Sequence, residues 1–474
     1  RPKELRMFDP HTVRSSKTCR SWRRSTTASL TAVLAAVIVV GGCGADSSST
    51  APIENASAER AATECGTYNG RGCAPAAERV DLEPPKFSNP TEITNPLFPI
   101  GKLKSAVLLG RVDGQSFRTE TTLLPDTKTV VWHGQRIRVL VSQYAAYLGG
   151  RLEEVAIDRY AQADDGSVWY LGEDVFDYRR GTVAVTEGTW LAGREGPAAM
   201  IMPAKPKVGD IYRPENTPGI VFEEVTVKQV DRKVDGPLGP VAGAIVTEEL
   251  HLDGTSERKV FAPGYGEFST AGGGNVEALA VAVSTDADSG SEPAEFGSLA
   301  TGAEGILESA RLRDWEAVST TYALMSRDWK ALRAGNQPSM VRDRMNSTLA
   351  TLARSVKSRS VAGISQGAID TAQSVLDLQL RYRSPVAIDG GRFHLWTQQL
   401  RVDAAADDAV GVTACVAVLE WIRDRIAPVL DAADRAEINQ RLRDLRGATD
   451  AGSLPAAADH AARLGARVRD FDAS

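Results

Sequence analysis

Hydrophobic and polar positions follow three successive regimes along this chain of 474 residues. Between residues 104 and 283, apolar positions alternate with polar ones or gather in short runs broken by glycine, as in half-buried strands. Val107-Leu108-Leu109 leads to a turn at Asp113-Gly114, and Val130-Val131-Trp132 to one at His133-Gly134. Residues 136–141 follow a period of two. The clearest hairpin joins 155–160 to 167–171 around Asp165-Gly166, a pair suited to a type I′ or bulged turn. Further strands are expected at 182–185, 221–230, 244–252 and 257–261. No helical pattern separates them, so they form an antiparallel meander: a curved sheet, a half-barrel or a closed barrel.

Past the linker-like stretch Ser284-Thr285-Asp286-Ala287-Asp288-Ser289-Gly290 the period becomes helical. Trp315, Val318, Tyr322, Met325, Trp329 and Leu332 step by three and four along one face. Pro338 opens a second helix; Ser365 is expected to cap a third and Asp389 a fourth. Val412, Cys415, Leu419, Ile422 and Ile426 mark a fifth, ended or kinked at Pro428. Two more surround Ile438-Leu442-Leu445 and Ala461-Leu464-Val468. Six or seven amphipathic helices with short connections make a bundle. The fold class expected is α+β, an antiparallel β meander followed by an all-α bundle.

The first regime is the N-terminal one. A basic stretch containing Arg14, Lys17, Arg20, Arg23 and Arg24 precedes an apolar run that ends in Val40-Gly41-Gly42-Cys43. A positive flank, an apolar core and small residues before a cut site describe a secretory signal. A spanning helix needs about 20 apolar residues, more than this run supplies. Val-Gly-Gly-Cys resembles the lipobox of bacterial lipoproteins. The resemblance implies a diacylglyceryl group on Cys43, which becomes the mature N-terminus at the outer face of the cell membrane. Val40 stands where that family usually carries leucine, and Gly41 where Ala, Ser or Thr is commoner. Translation is expected to start at Met7 or upstream of Arg1.

The expected organisation is a signal peptide at 1–42, a lipidated tether at 43–84, the β part at 85–283, a linker at 284–299 and the bundle at 300–474. Within the tether, Cys65 and Cys73 flank a loop with a turn-favouring Asn69-Gly70 step, and export favours a disulfide between them. Such a bond restricts the unfolded chain by roughly 2–3 kcal/mol. Segments such as Gly166-Ser167-Val168-Trp169-Tyr170-Leu171 and Gly188-Thr189-Trp190 are similar to a group of uncharacterised bacterial secreted β proteins. That resemblance spans about 85–280 and implies no activity.

Charge and chemistry narrow the role. The whole chain carries −6, but beyond residue 42 it holds 47 Lys/Arg against 59 Asp/Glu. With that balance and no basic patch, nucleic acid is not an expected partner. The five histidines show no metal-ligand spacing, and no nucleophile elbow, phosphate loop or dinucleotide fingerprint occurs. No cofactor, metal or catalytic residue is assigned. Trp132, Trp169, Tyr170 and Trp190 are candidate ligand-binding residues on a concave β surface, with core packing the competing role. The expected function is binding, of an apolar or envelope-derived ligand or of a protein partner, with the membrane reached through the lipid on Cys43. The alternative is a carboxylate-dependent hydrolase of cell-envelope material, drawing on Glu153, Glu154, Asp158, Glu173 and Asp174.

Overall fold

The computed structural model describes residues 73–217 and 219–472. Fifteen strands form one antiparallel sheet. They are β1 (Ser105–Val112), β2 (Gln115–Leu123), β3 (Lys128–Trp132), β4 (Gln135–Leu148), β5 (Arg151–Gln162), β6 (Val168–Arg179), β7 (Thr182–Val185) and β8 (Trp190–Leu191). The rest are β9 (Ala199–Met202), β10 (Ile211–Thr217), β11 (Val221–Gly236), β12 (Gly239–His251), β13 (Ser256–Ala262), β14 (Gly266–Gly272) and β15 (Asn275–Val283). The main path runs β10-β11-β12-β13-β14-β15-β1-β2-β4-β5-β6-β7, so only the β15–β1 pairing is non-sequential over a long distance. Strands β8 and β9 pair with β6, and β9 lies against β10. The sheet therefore curls until its ends meet without closing, which decides among the three architectures expected.

Eight helices follow: α1 (Ala294–Arg311), α2 (Trp315–Leu332), α3 (Ser339–Ser358), α4 (Val361–Gln379), α5 (Pro385–Ala405), α6 (Ala409–Ile426), α7 (Ala432–Asp450) and α8 (Leu454–Asp472). Helix α1 was not foreseen, and it occupies part of the expected linker. Helix α4 is capped by Ser360 and α5 by Ser384, with Pro385 in its first turn. Ser365 and Asp389, expected as caps, lie buried inside these helices. Pro428 falls just beyond α6, in a short 3-10 turn, as a residue lacking an N–H should.

The helices pack on one face of the sheet. Val107, Leu109 and Val281 join a core with Phe296, Met345 and Leu378. Ala145, Tyr147 and Val155 join another with Phe393, Val412 and Leu464. The layers approach closely at the β6–β7 turn, where Gly181 has φ +81° and a Cβ would lie 2.5 Å from the Ala414 nitrogen. Between the two layers three arginines meet three acids. Arg118 on β2 contacts Asp377 on α4 at 2.6 Å and Glu120 at 2.9 Å, while Arg425 on α6 reaches Glu120 at 3.0 Å. Arg392 on α5 bonds Asp377 and Asp389 at 3.2 Å each. The set is electrically balanced and nearly sealed from water, the condition under which buried charge is tolerated.

Candidate functional site on the inner face of the sheet

The face turned away from the helices forms the inside of the curl. Residues two apart share a face, so the register carries Leu108 to Thr119, Thr121 to Tyr144 and Ser142 to Asp158 along one surface. The same surface continues through Glu277 opposite Gly110, Thr270 opposite Glu277, and Lys259 opposite Thr270. It ends with Glu249 opposite Glu257 and Glu223 opposite His251. One end of the curl is apolar, filled by Trp169, Trp190, Met200, Met202, Tyr212, Val225 and Phe261 against Ile93, Leu97 and Ile100 from the strand-free segment before β1. The remainder is lined with carboxyl groups.

A cavity of about 140 Å³ opens where the two zones meet. Phe98, Ile100, Leu103 and Leu108 make its apolar side; Thr119, Thr121, Ser142, Tyr144, Asp158, Glu267 and Glu277 make its polar side. Its size is close to the roughly 150 Å³ that holds a benzene-sized ring. Glu277 Oε2 is buried and has no hydrogen-bond partner among the described residues. Burial, then the charge of Glu267, pushes the Glu277 carboxyl up to about 8.

Next to the cavity, Tyr170 Oη lies 2.7 Å from Asp158 Oδ1 and 3.0 Å from Glu173 Oε2. One phenolic proton serves two carboxyl groups, so a second proton must reside on the acids if both contacts are hydrogen bonds. Burial pushes Asp158 up to about 6 despite its bonds from Tyr170 and Ser142. Glu173 is held well above the ordinary range, by burial and then by Glu215, with which it shares a hydrogen bond. Glu215 rises to about 8 through burial and the Glu223 charge, and accepts from Trp190 Nε1 at 3.3 Å.

At the far end of the surface, Glu223, Glu249 and His251 place one donor atom each within 4.8 Å of one another. These are the residues that could hold a metal ion among those described. Lys259 Nζ already stands 2.8 Å from Glu249 Oε1 and 3.4 Å from Glu257 Oε1, supplying positive charge there. Burial opposes charging of His251, but hydrogen bonds with Glu223 and Glu257 prevail and raise it to about 10. Burial likewise opposes ionisation of Glu257, yet Lys259 and then His251 hold it at about 2.

Of the four aromatic residues singled out by sequence, Tyr170 and Trp190 meet edge to face at 5.5 Å beside the acids. Trp169 is buried, its Nε1 donating to Ser167 Oγ at 2.8 Å. Trp132 stands on β3 against His133 and packs, partly buried, on the margin of the apolar cluster that holds the other three. None of the four lines the cavity; Tyr144 and Tyr160 do. Among the acids, Asp158 and Glu173 come together, Glu154 rises to about 8 through burial and the Asp177 charge, and Asp174 pairs with Arg159. Burial and Asp177 also raise Glu153. Cys73 is disulfide-bonded; its expected partner Cys65, like Cys43, lies outside the described residues. Arg213 and Glu224 hold the neighbouring Ala74 to the sheet edge, at 3.1 and 2.8 Å. No described helix is long and apolar enough to cross a membrane. No protein-family model matches this chain, and no curated protein matches it either.

Proposed function

We propose that this is a lipid-anchored extracytoplasmic binding protein whose sheet takes up a small ligand on its inner face. The ligand is apolar at one end and rich in hydrogen-bond donors, or cationic, at the other. The observation that supports this reading is the cavity between Phe98, Ile100 and Leu108 on one side and the unpartnered Glu277 carboxyl on the other. An ammonium group placed there would offset the cost of ionising a buried acid. An envelope-derived lipid fragment or amine has that chemistry, and a protein side chain from an envelope partner shares it. Calorimetric titration with hexylamine and hexanol at pH 7 tests the site. Hexylamine is expected to bind, and Glu277→Gln to weaken it at least tenfold; equal binding to both variants removes the reading. The anchor is tested separately by labelling with a fatty-acid probe. Cys43→Ser is expected to abolish the label and release the protein from membranes.

A second reading, hydrolysis of envelope glycans, has one specific observation in its favour: the protonatable Asp158–Tyr170–Glu173–Glu215 chain. A buried acid held protonated near neutrality is what a general acid requires. Turnover of a glycan substrate that is lost in Glu173→Gln would support it; no turnover by the unaltered protein would remove it.

A further inference from the structure

A second cavity, of about 80 Å³, lies on the opposite face of the sheet, where β2 and β4 meet α3, α4 and α5. Two residues on its wall carry opposite charges and do not pair. Arg344 on α3 makes no ion pair among the described residues, and its Nε is buried without a hydrogen-bond partner. Burial and the nearby Arg118 work against its charge and outweigh the attraction of Asp377 and Asp370, neither of which touches it. Arg118 cannot be relieved of its own partners, since Glu120 and Asp377 already hold it. Among the described residues the Asp370 carboxyl on α4 receives a hydrogen bond only from Gln366 Nε2, at 3.1 Å, and burial raises it against the pull of Gln366 and Arg344. Beside these groups Tyr147 and Trp396 stack with ring centroids 5.7 Å apart and planes at 19°.

Opposite charges on neighbouring helices face this cavity and attract each other across it, yet they do not touch, and neither makes a direct ion pair among the described residues. A molecule bearing both signs would satisfy the two at once. Arginine receives a carboxylate through two parallel N–H bonds, and a carboxylate receives an ammonium. At about 10–15 Å³ per water-sized probe, the space takes roughly five to eight non-hydrogen atoms. We propose that this cavity binds a small amino acid as its zwitterion, carboxylate on Arg344 and ammonium on Asp370. Its side chain lies against Tyr147 and Trp396. The site is separate from the inner-face cavity and does not rest on the function proposed for that one.

Titration of the mature chain with L-valine, isovalerate and isobutylamine tests the assignment, because the last two each lack one charge. Valine is expected to bind and each analogue to bind at least tenfold more weakly. Arg344→Gln and Asp370→Asn are each expected to lose valine binding tenfold or more with unchanged circular dichroism. Arg344→Lys, which keeps the charge, restores part of it. Glu277→Gln leaves valine binding intact, which separates this site from the inner-face cavity. Valine binding no better than either analogue, valine binding unaffected by Arg344→Gln, or no binding of any small amino acid in a panel overturns the proposal.

Discussion

Arg118 and Asp377 face each other across the sheet–helix boundary through two contacts, Nη1 to Oδ2 at 2.6 Å and Nη2 to Oδ1 at 2.7 Å. They are 259 positions apart in sequence, and each also touches another member of the buried network. This pair makes the sheet and the helices dependent on one another. Asp377→Asn would leave Arg118 and Arg392 short of a counter-charge in a place largely shielded from water. Breaking one side of a buried pair costs about 3–5 kcal/mol. Urea unfolding is expected to show that loss in a single transition. Two transitions, with only the helical one shifted, would show that the layers fold independently.

Tyr170 is the one hydroxyl shared by Asp158 and Glu173. Tyr170→Phe keeps the ring packed on Trp190 and Tyr160 but leaves buried carboxyl oxygens without that donor. An unsatisfied buried polar group costs about 1–3 kcal/mol. Losing the bond also removes the strongest of the interactions that hold Asp158 down, those of Ser142 and Arg159 remaining, so its titration should move above about 6. Carboxyl carbon NMR across pH 4–8 measures it. An unmoved or lowered Asp158 titration contradicts the contact described.

The carboxyl groups of the inner face also set how stability varies with pH. Glu154, Glu215, Glu249 and Glu277 titrate near 8 in the fold against an ordinary value of 4.5. Below 4.5 folded and unfolded chains both carry these protons, so the groups do not oppose folding. As pH climbs toward 8 the unfolded chain releases them first, and stability falls. Glu257, lowered to about 2, acts oppositely: its contribution is present above 4.5 and disappears as pH drops toward 2. Glu120, also depressed by its arginines, behaves the same way. The melting temperature should therefore peak near pH 4.5 and decline from there toward 8, more gently in Glu277→Gln. Fluorimetric melts at constant ionic strength check this, and a steady rise from pH 5 to 8 contradicts it.

Hairpins and most helices were legible because their signals are local. Asp165-Gly166 marks the β5–β6 turn, and the three-four spacing from Trp315 to Leu332 is α2. Helix α1 escaped because Gly297, Gly302 and Gly305 weaken its pattern, although Gly302 is needed where Met325 packs against it. Helix α5 is buried on nearly all sides, so its polar residues, Asp389 and Arg392 among them, imitate a solvated stripe or a cap. The inner face was hidden for a related reason. Alternation separates Glu249 and Glu257 from Val246 and Val260, but it does not say which set turns inward. Acids read as the wet face of a strand instead line the inside, where the curl brings Glu173 and Glu215 together from strands that share no ladder. Only the long-range register reveals that meeting.

The contact between Gly181 and α6 offers a test of how tightly the two layers are fitted. Gly181 sits at φ +81°, a conformation costly for residues with a Cβ. A methyl added there would also fall 2.5 Å from the Ala414 nitrogen and 2.9 Å from its Cα, both backbone atoms of a helix that cannot retract singly. Gly181→Ala should therefore lower stability by more than the roughly 1–2 kcal/mol that the left-handed conformation alone costs a residue with a Cβ. Gly114→Ala is the control: it has a similar φ, +76°, and nothing within 4 Å of the added carbon. The difference between the two melting temperatures isolates the sheet–helix contact from backbone strain. Equal losses would mean that α6 moves aside freely and that the fit at this point contributes little to holding the layers together.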